Sequence, residues 1–247
     1  MEADPSFDSK ENQALLVVCA RKTIRNTGIA AIIWGVINLG IGYVGIQLTI
    51  LNIFVLGLAL MMLGTGVFAL TKPSLHALLA AAVVSTLLLF WNLGVMALSI
   101  MAGVGPSFGG GLILPMIVAI VFFKQYLKLH HLKEDIRAMD SKLVKEAAGL
   151  CKQLFKSKLK ESPDIAEASS RRCRVRFMSD AVFCAQRNLM RAFYLNRENF
   201  QQCITDANRK KIRVVVRHPL GKLTYAFDKK NSEKIKGWLG ASATQTS

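Results

Sequence analysis

Two clusters of cationic side chains carry the strongest chemical signal in this sequence. Arg171, Arg172, Arg174 and Arg176 put four guanidiniums on six residues, and Arg209, Lys210, Lys211, Arg213 and Arg217 put five charges on nine. Guanidinium and ammonium groups make charge-assisted hydrogen bonds to phosphate and carboxylate oxygens, so clusters of them recognise anions rather than make or break bonds.

No other constellation supplies bond-making chemistry. The histidines stand at 76, 130, 131 and 218. The adjacent pair His130 and His131 points to different faces of a helix, so the two imidazoles do not share one metal ion. The five cysteines, Cys19, Cys151, Cys173, Cys184 and Cys203, form no CxxC pair and no zinc spacing, and are read as reduced thiols in a reducing compartment. Gly64 to Ala69 matches the GxGxxA dinucleotide fingerprint, but it lies inside an apolar run without the strand–turn–helix context that the motif needs. No catalytic residue, metal ligand set or cofactor site is identified, and the chain is read as non-enzymatic.

The elements that must hold the cationic clusters are set by where charge is missing. After Arg25 the next charged residue is Lys72, and after Lys72 the next is Lys124, which leaves uncharged tracts of 46 and 51 residues. A helix needs about 20 apolar residues to cross the hydrocarbon core, so each tract holds two spans. The spans are expected near 27–44, 47–71, 74–102 and 112–129. Lys72-Pro73 breaks the run in the middle, and the Gly-rich segment 103–111 connects the last two spans.

Gly28, Gly35 and Gly42 recur every seven residues, as do Gly57 and Gly64, and each stripe is expected to let a neighbouring helix approach closely. Asn38, Asn52 and Asn92 are the strongest hydrogen-bonding groups at membrane depth, and they are read as helix–helix glue. Apart from Lys124 and Lys128 at the end of the fourth, no Asp, Glu, Lys or Arg lies in the spans, although proton- or sodium-coupled carriers usually keep one at the midplane.

From Lys124 onward the chain carries 27 Lys and Arg against 12 Asp and Glu, a net of +15 out of the whole-chain +16. Lys and Arg flank the spans on one side only, which by the positive-inside rule places both termini in the cytoplasm. Residues 1–23 are expected to be a cytoplasmic tail with a short amphipathic helix capped by Ser9. Its apolar patch would either lie on the lipid or pack on the C-terminal domain.

Beyond the fourth span, Leu129, Leu132, Ile136, Met139, Leu143, Ala147, Leu150 and Leu154 step by three or four. The spacing predicts that the fourth span continues without a break as an amphipathic helix over 130–160. This stripe either docks on the following domain or mediates homo-oligomerisation through 129–154. Residues 161–170 are expected to be a linker, 171–240 a small α+β domain, and 241–247 a tail. The fold class is therefore membrane α-helical: a four-helix transmembrane unit, a long amphipathic helix and a small cytoplasmic α+β domain.

Within 171–240 the alternation from Val175 to Leu195, the hairpin opening at Ile212 and the terminal helix ending at Leu239 resemble the small pleckstrin-homology-like domains of bacterial membrane proteins. Five strands are legible where that fold has seven. The resemblance implies a compact cytoplasmic module and carries over no functional residue.

The expected function is a scaffold or sensor in the bacterial inner membrane, whose basic cytoplasmic module binds anionic lipid headgroups or a partner protein. Each cation close to an anionic leaflet contributes about 1 kcal/mol. Nucleic acid ranks below these partners, because Phe193 and Tyr194, which could stack on bases, fall where a small core needs them. The alternative is a small permease or channel regulated by the basic domain.

Overall fold

The computed structural model describes residues 9–46, 52–101, 113–133, 141–155, 162, 164–168, 173–186, 191–208 and 211–240. The chain divides into two compact units, one made from Met1–Ala20 with Asp135–Ser247 and the other from Arg21–Glu134.

The second unit is helical. Helix α1 (Lys10–Ile46) runs through the end of the first unit into it, and α2 (Asn52–Thr71), α3 (Leu75–Met101) and α4 (Ile113–His130) complete the set. All four helices are long and apolar enough to cross a membrane. Among the described residues, every exposed large apolar side chain except Leu143, Leu150 and Met178 lies between Ile29 and Leu127. Apolar area on that scale is compatible with a surface that faces lipid. Ser9 caps α1 by accepting from the Asn12 N–H at 3.2 Å, and Ser74 caps α3 by accepting from the Ala77 N–H at 3.3 Å. Between α2 and α3, Lys72-Pro73 falls in the break as expected.

A tight seam joins α1 to α2. A Cβ on Gly28 would stand 2.9 Å from the Gly66 carbonyl oxygen, and one on Gly66 would stand 2.8 Å from the Gly28 carbonyl oxygen. Gly35 and Gly42 meet Leu63 and Leu56 in the same seam. The expected second stripe is different: a Cβ on Gly57 or Gly64 would meet nothing within 4 Å, and Gly66 holds the contact instead. The reason is the phase of the helix. Leu56, Ala59, Leu63, Gly66 and Leu70 step by three and four along one face of α2, and Gly57 and Gly64 fall off it.

Trp34, Met62, Leu88 and Phe122 centre the core of this unit. Its polar groups turn back on their own helices: Asn38 Nδ2 donates to the Trp34 carbonyl, Ser85 to Ala81, Thr86 to Ala82 and Thr65 to Met62, all at 2.8–2.9 Å. Asn38 is thus buried within one turn of its own helix, Asn92 is half-buried, and the Asn52 side chain lies outside the described residues.

The first unit holds seven strands among its described residues. β1 (Ile165–Glu167), β2 (Cys173–Phe177), β3 (Ala181–Gln186) and β4 (Ala192–Asn196) form an antiparallel sheet in that order. The other sheet comprises β5 (Ile204–Asn208), β6 (Lys211–His218) and β7 (Gly221–Phe227). The helices are α5 (Ser141–Leu154), α6 (Arg197–Gln202) between β4 and β5, and α7 (Lys229–Gly240) at the end. Asn196 caps α6 by accepting from the Asn199 N–H at 2.7 Å, and Asp228 caps α7 by accepting from the Asn231 N–H at 3.0 Å. The tight β6–β7 turn pairs His218 with Gly221, whose φ of 117° requires glycine.

Three expectations are corrected here. The linker over 161–170 contains β1, which pairs with β2 through Ile165↔Arg176; three residues after a proline carry too little alternation to announce a strand. The unbroken helix over 130–160 is interrupted, since α4 ends at His130 and residues 131–132 form a turn before Lys133, which is helical again. The short N-terminal helix and the first span are one continuous helix, with no Pro or Gly between Lys10 and Thr27 to stop it. The segments 1–8, 103–111 and 241–247, expected as tails and a loop, lie outside the described residues.

Candidate functional site

The core of the first unit lies between the two sheets. Cys173, Val175 and Phe177 of β2, Val182 and Cys184 of β3, and Phe193 and Leu195 of β4 meet Ile212, Val214 and Val216 of β6. α7 closes the core with Ile235 and Trp238. Trp238 stacks on Phe177 and donates its indole N–H to the Met178 carbonyl at 2.7 Å, while the Arg197 guanidinium lies 4.4 Å from its ring. The two base-stacking candidates are also used inside the fold: Phe193 is fully buried, and Tyr194 packs on Phe183 at 4.8 Å.

The first sheet is covered on its other face too. Arg174, Phe183, Ala185 and Ala192 alternate away from the core and are nonetheless buried. α5 lies over them, for Arg174 donates from Nη1 to the Leu154 carbonyl at 3.0 Å and sits over the Phe155 ring. α5 turns Val144, Ala147, Cys151 and Leu154 inward, whereas Leu143 and Leu150 of the expected stripe are each 37% exposed. Ala147 and Leu154 of the expected stripe face inward, and Val144 and Cys151 take the places expected for Leu143 and Leu150.

The start of α1 belongs to the same assembly. Ala14 to Ala20 are all buried, as an apolar stretch must be when it lacks a polar face. Asn12 pairs with the β4 edge as a neighbouring strand would: its Nδ2 donates to the Tyr194 carbonyl at 3.1 Å, and its Oδ1 accepts from the Tyr194 N–H at 2.7 Å. Two residues back along β4, the Ala192 N–H donates to Cys19 Sγ at 3.1 Å. An open sheet edge is thereby closed by helix side chains. Of the two placements open for the N-terminal apolar patch, this is the packed one, and the strand-bearing unit is built from both ends of the chain. Replacing Asn12 with Ala leaves a part-buried N–H and C=O on β4 without these partners. It is expected to cost about 1–3 kcal/mol in denaturant unfolding of the full chain and to speed amide exchange at Tyr194 and Ala192.

Within this unit the nine basic candidates separate. Arg174 is buried, and its Nε lies 3.6 Å from Glu167 Oε1, so it ties β2 to β1 and α5. Arg176 is half-buried on the same covered face, near Tyr194. Lys211, Arg213 and Arg217 are exposed and alternate along β6 with the buried Ile212, Val214 and Val216. They share the outward face of the second sheet with Val215 and with Thr224 of β7. Arg171, Arg172, Arg209 and Lys210 lie outside the described residues. The structure thus brings together three of the candidates on the outward face of β6, the middle strand of its sheet, and assigns a fourth, Arg174, to packing.

The cysteines and His218 are buried parts of the fold. None of the five cysteines is in a disulfide, and all are buried. Burial pushes the Cys151 thiol up from its usual 9 to about 12, and it raises those of Cys173 and Cys184 well above 9 too. These groups stay protonated in the fold at pH values where the unfolded chain ionises. Their contribution to folding stability is therefore complete below the unfolded value of 9.0 and is lost as pH rises toward the folded values. Alkaline titration of denaturant unfolding checks this. Thiol reagents at neutral pH are expected to modify the cysteines only after denaturation. His218 is buried beside Phe193 and accepts from the Leu220 N–H through Nδ1 at 3.0 Å, shaping the hairpin. Among the described residues no cluster of His, Cys, Asp or Glu could hold a metal ion.

Comparison with protein-family models, with curated proteins and with solved structures finds no match for this chain.

Proposed function

We propose that this protein is a multi-pass membrane scaffold or sensor whose composite basic unit engages anionic lipid headgroups through the outward face of β6. The row of Lys211, Arg213 and Arg217 carries this reading, because these three cations are exposed along one face of one strand whereas Arg174 is taken up in packing. The clamp of Asn12 on Tyr194 supports placing the start of α1 and the C-terminal unit on one side of the bilayer, which an even number of crossings requires. Buried thiols outside any disulfide and the one-sided Lys and Arg flanks favour the cytoplasmic side of a bacterial inner membrane. Seven strands in sheets of four and three, closed by a terminal helix, favour a pleckstrin-homology-like module.

Transport is less favoured. The buried hydroxyls and the Asn38 amide bond carbonyls of their own helices, so they do not form a polar line along which a solute could pass.

Hydrogen exchange on the full chain in nanodiscs tests the proposal. With anionic lipid at low salt, β6 and β7 are expected to exchange more slowly than with neutral lipid. The difference should vanish as salt shortens the Debye length from about 10 Å to about 3 Å. Identical exchange in both lipids at low salt would remove the proposal.

A further inference from the structure

The shape of the basic face constrains what it can recognise. Lys211, Arg213 and Arg217 stand at positions 1, 3 and 7 of one extended strand, so the row is roughly 20 Å long at about 3.4 Å per residue. The cross-strand register places Lys222 opposite Arg217, Thr224 opposite Val215, Ala226 opposite Arg213, and Asp206 on the other side of Arg213. Val215 and Thr224 therefore lie between Arg213 and Arg217, while Asp206 and Ala226 flank Arg213 on either side.

A site for one phosphate gathers its donors around a concavity, with some of them buried so that they are held in place. The described residues of this face do neither. Lys211, Arg213 and Arg217 are exposed and strung out in a line, and Thr224 and Ala226 raise no wall beside them. A single phosphate can touch two neighbouring positions of such a row, and it leaves the others in water. Several phosphates side by side in one plane can touch all of them.

Resting on the headgroup reading above, we infer that this face recognises a planar array of anionic phosphates by its charge density, and does not select one headgroup by its stereochemistry. The partner class is the anionic leaflet itself, and free phosphate esters are poor ligands. Loss of one cation is expected to weaken the contact by about fivefold without changing which lipids are accepted.

The buried native thiols make a clean test available. Thr224 is exposed in the middle of the face, so Thr224→Cys gives one reactive thiol for an environment-sensitive fluorophore on the full chain. The labelled protein is placed in phosphatidylcholine nanodiscs and in nanodiscs containing phosphatidylglycerol, phosphatidylserine or cardiolipin at equal charge. The expected result is the same emission shift in all three anionic compositions, none in phosphatidylcholine, and loss of the shift on Arg213→Gln with Arg217→Gln. Inorganic phosphate and glycerol phosphate should displace the face no better than chloride at matched ionic strength.

A shift with one headgroup only, or displacement by soluble phosphate beyond the chloride control, would overturn charge-density recognition while leaving headgroup binding intact. A shift produced in phosphatidylcholine by an oligonucleotide would overturn it in favour of nucleic acid. Absence of any shift in all anionic discs would overturn the headgroup reading and this inference together.

Discussion

Replacing Arg174 with Ala is expected to destabilise the strand-bearing unit by about 2–4 kcal/mol, whereas Arg213→Ala should change it by less than about 0.5 kcal/mol. The two arginines look alike in the sequence and differ in what surrounds them. Arg174 is 4% exposed, holds the last carbonyl of α5 through Nη1 and lies beside Glu167 of β1. Removing it leaves that carbonyl and carboxylate without their cationic partner and opens a hole beneath Phe155. Arg174→Lys should recover only part of the loss, because an ammonium cannot reach the carbonyl, the carboxylate and the ring together as a planar guanidinium does. Thermal unfolding of the full chain in uncharged detergent measures all three variants. The opposite ranking is expected for contact with an anionic leaflet, where Arg213→Ala weakens the contact by about 1 kcal/mol. Equal stability losses for Arg174 and Arg213 would contradict the division of the cluster into packing and surface residues.

The second large effect lies in the unit of four apolar helices. Gly66→Leu is expected to cost about 3 kcal/mol or more. Its first added atom would stand 2.8 Å from the Gly28 carbonyl oxygen and 3.0 Å from the Ile32 amide nitrogen. Backbone cannot rotate out of the way, so α1 and α2 must separate and lose the contacts that take the place of a hydrophobic driving force in lipid. Gly35→Leu should cost less, since its nearest neighbours are the Cγ and Cδ2 of the Leu63 side chain, although the Ala59 carbonyl oxygen stands 3.1 Å away. Gly64→Leu should be close to neutral, because no described atom lies within 4 Å of the position its Cβ would take. Unfolding in mixed detergent micelles ranks the three. A Gly64 variant as damaging as the Gly66 variant would contradict the seam.

How much of this was legible in the residues depended on what each feature needed to be seen. The four apolar helices followed from the placement of Arg25, Lys72 and Lys124, because a water-facing surface cannot be built from 46 or 51 consecutive residues without a charged side chain. The glycines of α1 were legible as a face, since Gly28, Gly35 and Gly42 keep one phase. On α2 the glycine spacing pointed to the wrong face, for Gly57 and Gly64 repeat as regularly as any packing stripe and meet no described neighbour. Only the partner helix reveals that Gly66 is the close approach.

The strand-bearing unit was harder. Strands β2, β3, β6 and β7 announce themselves by alternation, but β1 is three residues long, and β5, Ile-Thr-Asp-Ala-Asn, has no apolar rhythm. Alternation places Arg174 and Arg176 on the face opposite Val175 and Phe177. It cannot say that this face is covered, because the cover comes from α5, some 20 residues earlier in the chain. The least legible contact is the Asn12 clamp, which joins residues 182 positions apart through one side-chain amide. The run Ala14–Ala20 was the available hint, since a helix apolar on every side needs surroundings on every side.

That clamp also bears on how the basic unit should be handled. A fragment of 165–247 would lack α5 and the start of α1, and it would present Phe183, Ala185 and Ala192 to water. Headgroup contact is therefore best measured on the full chain.

The central claim is that both chain ends build one basic unit on one side of the bilayer. It is tested most directly with a membrane-impermeant maleimide on full chains carrying Lys10→Cys, Thr224→Cys or Ser107→Cys, the native thiols being buried. In inside-out vesicles the first two are expected to react and the third to be protected, with the pattern reversed in right-side-out vesicles. Reaction of Lys10→Cys and Thr224→Cys from opposite sides would contradict the account.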